Sequence, residues 1–139
     1  MEILSARTLL RPSDSVASHE FYGKTLGLAV HREFGPPDSP SRVYFCGNGL
    51  LEVAGNSTPR PETGAPPVSL WFQVRDVVAE YDRLRELDVT LLREPQTEPW
   101  GLQEAWIADP DGLQIVLVQI PADHPLRQDQ RPVESLQWD

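Results

Sequence analysis

Apolar residues along the chain switch between two spacings. Short runs rich in β-branched, aliphatic and aromatic residues read as strands: ARTLLR, HREF, RVYFCG and GLLEVAG in the first half, VSLWFQV, LREP, QEAWIA and LQIVLVQI in the second. Two stretches follow the helical period instead. One starts at Asp14 and ends near Leu26, with Gly27 just past it; the other starts at Asp76, runs to Leu87 and carries Val77, Tyr81 and Leu84 as a stripe. Asp14 and Asp76 are each placed to cap the first amides of their helix. The last strand is unusual. Between Gln114 and Gln119 both parities are apolar, so both of its faces are expected to be covered. It follows Asp109-Pro110-Asp111-Gly112, a turn in which proline presets φ, aspartate bonds the following backbone and glycine tolerates positive φ.

The two halves repeat. Setting Asp14 on Asp76 aligns Leu9 with Trp71, Leu10 with Phe72, Val16 with Val78 and Ala17 with Ala79. Each half reads β-α-β-β-β, and between them NSTPRPETGAPP holds four prolines and little apolar content. The expected organisation is one domain over residues 1–120, made of a module at 1–55, a linker at 56–67 and a module at 68–120. The expected fold is α+β: two modules forming a cup-shaped mixed sheet with helices on the outer face. Residues 121–139 have three prolines and no periodicity, and read as an arm or a disordered tail. Trp138 in it either docks on the domain or a partner chain or is exposed.

Composition narrows the partners. Twelve basic against 21 acidic residues give a net charge of −9, which repels phosphate backbones and anionic lipid surfaces. Nucleic acid and membrane are therefore not expected as partners. The opening MEILSARTLL has neither a long apolar run nor a cleavage site, so a cytoplasmic location is expected. Cys46 is the single cysteine and reads as a small core thiol. GNG and GKTLG lack the spacing of a phosphate-binding loop.

The chain resembles the vicinal oxygen chelate superfamily, which includes glyoxalases, bleomycin resistance proteins and extradiol dioxygenases. LLRPSDSVASHEFYGKTLGL is similar to its opening segment and ADPDGLQIVLVQ to its closing one. PWGLQEAWIADPDG is similar to the equivalent stretch of the bleomycin-resistance-like branch. The resemblance implies paired β-α-β-β-β modules around a cup and, in metal enzymes, four inner-face ligand positions on the first and last strand of each module. Those positions hold Arg7, Glu52, Ser69 and Val116 here. Only Glu52 is a good ligand; an always-cationic guanidinium repels a metal ion. His19, His31 and His124 fall on the first helix, the second strand and the tail, away from the ligand positions. No metal and no cofactor are therefore expected.

Strand parity with those positions puts Leu9 and Arg11 beside Arg7, Leu50 and Ala54 beside Glu52, Trp71 and Gln73 beside Ser69, and Gln114 and Val118 beside Val116. Trp100 and Trp106, near the last hairpin, add aromatic walls. The expected ligand-binding set is Arg7, Leu9, Glu52, Ser69, Trp71, Gln73, Trp100, Trp106, Val116 and Val118. Two placements of the charges stand side by side: Arg7 pairs with Glu52 in the vacated metal position, or Arg7 reaches solvent and Glu52 sits at the wet mouth of the cup. Glu52 is the only catalytic candidate, as a general base. The function expected is metal-independent binding of a small organic ligand, by sequestration, in a homodimer of the kind common in that branch. The alternatives are a lyase, isomerase or dioxygenase using a divalent metal or Glu52, and an accessory subunit that makes contacts through its proline-rich tail.

Overall fold

The structure is a computed structural model that describes residues 2, 5, 7–60 and 68–127. Among these residues the strands form two four-stranded mixed sheets. The first contains β1 (Thr8–Leu10), β2 (Val30–Phe34), β3 (Ser41–Cys46) and β4 (Gly49–Val53), in the order β1-β4-β3-β2. The second contains β5 (Leu70–Gln73), β6 (Thr90–Thr97), β7 (Gln103–Ala108) and β8 (Gln114–Gln119), in the order β5-β8-β7-β6. In each sheet the first strand runs parallel to the last and the other pairings are antiparallel. The α+β architecture expected from the repeat is the architecture observed. The last seven residues of the proline-rich linker, 61–67, and Trp138 lie outside the described residues.

Helix α1 (Ser15–His19) follows β1 and α2 (Val77–Arg85) follows β5. Their starts are built alike. Asp14 accepts from the amide of Ala17 at 2.9 Å and Asp76 from that of Ala79 at 3.0 Å. A side chain 42 residues downstream then satisfies the next free amide: Ser57 Oγ accepts from Ser15 N, and Gln119 Oε1 from Val77 N, both at 3.0 Å. The ends differ. α1 runs on into a π-helical turn, Glu20–Thr25, and the chain leaves through Gly27 at φ +74°, a backbone region glycine enters without strain.

One continuous core holds the modules together. Tyr22, Tyr44, Leu51 and Val53 from the first module and Val77, Leu84, Ile107 and Ile115 from the second belong to a single buried cluster. Polar ties cross the same boundary. Arg83 donates to the carbonyl of Thr25 at 3.0 Å, Ser13 bonds the Asp111 carboxylate, and the buried Tyr22 hydroxyl donates to Asp109 Oδ2 at 2.8 Å. Asp109 also accepts from the amides of Asp111 and Leu113 at 2.9 and 2.8 Å, while Gly112 turns the chain at φ +79°. The Asp-Pro-Asp-Gly turn is thus fastened to Tyr22, in the π-helical turn that continues α1. Burial pushes the Asp109 carboxyl above its ordinary range against these donors, and pushes the Tyr22 phenol far upward.

Candidate site on the helix-free faces of the sheets

Alternation along each strand divides the side chains between a helix-packed face and a helix-free face. In β4 Leu51 and Val53 enter the core, so Leu50 and Glu52 face the other way. In β8 Ile115 and Leu117 enter it, leaving Gln114, Val116 and Val118 opposite. Cross-strand register then gives one row through each sheet: Leu9–Glu52–Val43–Arg32 in the first, Trp71–Val116–Trp106–Arg93 in the second.

In the first row Glu52 is nearly buried, and Arg7 meets it with Nε 2.8 Å from Oε2. The Arg7 side chain keeps 41% of its exposure, so the pair sits at the sheet's margin with its carboxylate inside and its guanidinium partly wet. The ion pair is present; Arg7 does not leave Glu52 for solvent. Leu9 and Phe45 flank it as exposed apolar side chains, and the His31 ring packs on Phe45 at 4.9 Å between centroids.

The second row carries a denser constellation. The Arg93 guanidinium lies 3.7 Å from the centre of the Trp106 ring, within reach of a cation–π contact. Arg93 is also paired with Glu98 and stands 3.7 Å from Glu104. Both carboxylates are buried, at 7% exposure each. Glu104 is the hub: Trp100 Nε1 donates to its Oε1 at 3.3 Å and Trp106 Nε1 to its Oε2 at 3.5 Å. Its contacts are all long, so this carboxylate is held in place without a strong partner.

Arg93, Glu98 and Glu104 were not among the residues expected from the sequence. They come together because Glu98–Gly101 is a tight turn: Gly101 N donates to Glu98 O at 2.9 Å and Glu98 N to Leu102 O at 2.8 Å. That turn folds β6 onto β7, which is the one signal the stretch EPWGLQE offered. Without it, three charges near a hairpin look like any solvated edge.

The other expected residues separate. Trp71, Gln73 and Val116 share the helix-free face, and exposed Ser69 donates weakly to Gln114 at 3.4 Å. Val118 faces the same way but is wholly buried, packed with Leu102, Ile120 and Val116, so it forms floor and not wall. This cluster is what covers the second face of the last strand. Ser69, Trp71, Gln73 and Leu50 line a groove of about 1240 Å³ at the junction of the modules, with Cys46 on its wall. Burial pushes the Cys46 thiol upward, consistent with an unreactive packing residue.

Comparison with known proteins agrees with the geometry. The family model for the Glyoxalase/Bleomycin resistance protein/Dioxygenase superfamily matches residues 5–117, and the chain belongs to that superfamily. Among solved structures, SMU.1112c is 30% identical and superposes with a TM-score of 0.69 over 84% of this chain and 99% of its own. A superfamily member from Sphaerobacter thermophilus is 25% identical, with a TM-score of 0.64 over 85% of this chain and 98% of its own. A glyoxalase-related enzyme from Fulvimarina pelagi shares the fold at 22% identity, with a TM-score of 0.66 over 88% and 91% of the two chains. None of the curated proteins compared with the chain matches it. No helix among the described residues is long and apolar enough to cross a membrane.

A divalent ion does not fit the four ligand positions the superfamily implies. Arg7 is cationic and already engages Glu52, exposed Ser69 is a poor ligand, and Val116 is none. Among the described residues no three His, Cys, Asp or Glu side chains lie together as a metal centre requires.

Proposed function

We propose that the protein binds a small organic molecule without a metal ion, in the manner of the bleomycin-resistance-like branch, and acts by sequestering it. One observation carries this reading: the Arg7–Glu52 ion pair, 2.8 Å long, occupies two of the four positions at which a metal enzyme of this fold would place ligands. The ligand surface is the helix-free face, with Trp71, Trp100 and Trp106 as aromatic walls and Arg7, Glu52, Ser69, Gln73 and Leu9 around them. Tryptophan faces with a few fixed polar groups suit a flat, partly apolar ligand.

The working unit is a homodimer. Among the described residues β1 and β5 each have one edge without a strand partner, and Leu9, Phe45 and Trp71 are 42%, 51% and 50% exposed beside them. Edges and apolar faces of this kind need a partner, and a second copy supplies both. The net charge of −9 repels phosphate backbones and anionic lipid surfaces, which supports a small molecule and not nucleic acid or membrane as the partner. The alternative, an enzyme using a divalent metal or Glu52 as general base, requires a carboxylate that Arg7 now holds.

The test is metal analysis of protein purified without chelator, then thermal-shift titration with nickel, zinc, manganese and iron(II). The expected result is no stoichiometric metal and no shift, followed by saturable quenching of tryptophan fluorescence in a screen of small aromatic and cationic compounds. One tightly held ion per chain would overturn the proposal.

A further inference from the structure

The chain does not leave the domain at the end of β8. Residues 121–127 turn back, with His124 N donating to Pro121 O at 3.0 Å and a short 3-10 turn at Pro125–Arg127. This places the His124 ring against the β6–β7 turn. Its Nε2 lies 2.9 Å from the carbonyl oxygen of Trp100, and its Nδ1 lies 3.2 Å from the amide nitrogen of Leu126. These two partners fix the tautomer. Nδ1 accepts from Leu126 N–H, so the proton is on Nε2 and is donated to Trp100. Gly101 is part of the same fit. It has φ +89°, and a Cβ there would lie 3.2 Å from the imidazole. Glycine is therefore needed twice, for the backbone conformation and for the ring that rests on it.

The clamped turn presents Glu98 and Trp100, the first paired with Arg93 and the second donating to Glu104. Trp100 is 58% exposed, so little packing holds it. We propose that residues 121–127 are a clasp and that His124 is a positioning residue: it fixes the Glu98–Gly101 turn and so keeps the Trp100 indole and the Glu98 carboxylate on the site face. The role in ligand binding rests on the function proposed above; the clasp itself does not, and it is tested without any ligand.

The experiment follows the tryptophan indole N–H resonances of the 15N-labelled full chain, with Trp100 assigned through Trp100→Phe. Trp71 is the internal control, since it lies on β5, at the opposite edge of the second sheet from β6. His124→Ala should shift the Trp100 indole resonance and speed its hydrogen exchange about tenfold, the factor expected for losing one hydrogen bond that orders it, while Trp71 stays in place. His124→Gln keeps an N–H donor at the Nε2 position and should restore most of the Trp100 shift. An unchanged Trp100 resonance in His124→Ala, a change spread equally to Trp71, or failure of the glutamine to rescue would each overturn the clasp. Fluorescence titration with whichever compound the screen identifies then reads the consequence for binding: weaker in His124→Ala, restored in His124→Gln.

Discussion

The two sheets carry the same topology and opposite chemistry. Leu9–Glu52–Val43–Arg32 and Trp71–Val116–Trp106–Arg93 are equivalent rows of a duplicated module. In the first sheet the acid stands on β4, the strand beside the outer β1, and its cation arrives from the chain just before β1. In the second sheet the equivalent place on β8 is Val116, and the charges have moved outward to the β6–β7 hairpin, where Arg93 meets Glu98, Glu104 and the face of Trp106. A duplicated backbone constrains which positions face the site, not what stands there. The first face holds one ion pair at a margin and, on β2, Arg32 over the ring of Phe34 at 4.9 Å. The second holds a network in which two buried carboxylates share one guanidinium.

That contrast predicts unequal responses to losing the cation. Arg93→Ala should be the most damaging change, costing about 3 kcal/mol or more, because the buried Glu98 loses its ion-pair partner and the buried Glu104 a guanidinium 3.7 Å away. Urea denaturation at neutral pH measures it, and a cost below that of Arg7→Ala would refute the contrast. Arg7→Ala should cost about 1 kcal/mol, because its partly exposed head can be replaced by water at Glu52. Its measurement belongs in the same urea series.

Between these two in size lies the seam that joins the modules. Tyr22→Phe removes a buried donor from Asp109 and should cost about 2 kcal/mol near neutral pH. The Asp109 carboxyl is held above its ordinary 3.8, so the folded state binds this proton more tightly than the unfolded chain. Its contribution to stability is complete below pH 3.8 and is lost as pH rises through the folded value. Asp109→Asn should therefore flatten the pH dependence of stability above pH 4, which denaturation at several pH values reads directly. An unchanged slope would show that the seam does not titrate.

The smallest effect sharpens the comparison most. Glu52→Val gives the first sheet the residue its twin carries at Val116. It removes the buried carboxylate together with the need to neutralise it, so stability should stay within about 1 kcal/mol of the parent. A large loss would mean that the ion pair organises the first face in a way the second does not need.

Much of this was legible in the sequence because it is local or periodic. Asp14 and Asp76 announce helix starts through short-range capping chemistry. Alternation along β4, β5 and β8 places Glu52, Trp71 and Val116 on one kind of face, and the 62-residue offset between Asp14 and Asp76 reveals the duplication. The Arg7–Glu52 pair could be anticipated because the resemblance maps both residues to ligand positions that face one point; in the structure Glu52 stands opposite Leu9 and Arg7 reaches it from just before β1. The Arg93–Glu98–Glu104 network could not, since it depends on how tightly one turn closes and on a cation stacking over a ring across the hairpin. Nor could the burial of Val118, which Leu102 and Ile120 cover from either side in sequence. His124 read as part of a tail, because nothing in its neighbours' periodicity says the chain turns back.

Residue identity at fixed spacing was enough for the repeat and the strand faces, since both are periodic; that three of the four ligand positions lack a ligand is what the resemblance implies. Tertiary structure decided which charges meet, which face residue becomes floor, and where the chain after β8 is fastened. Those outcomes depend on the closing of turns and on contacts between segments far apart in the chain, and neither is encoded in local spacing.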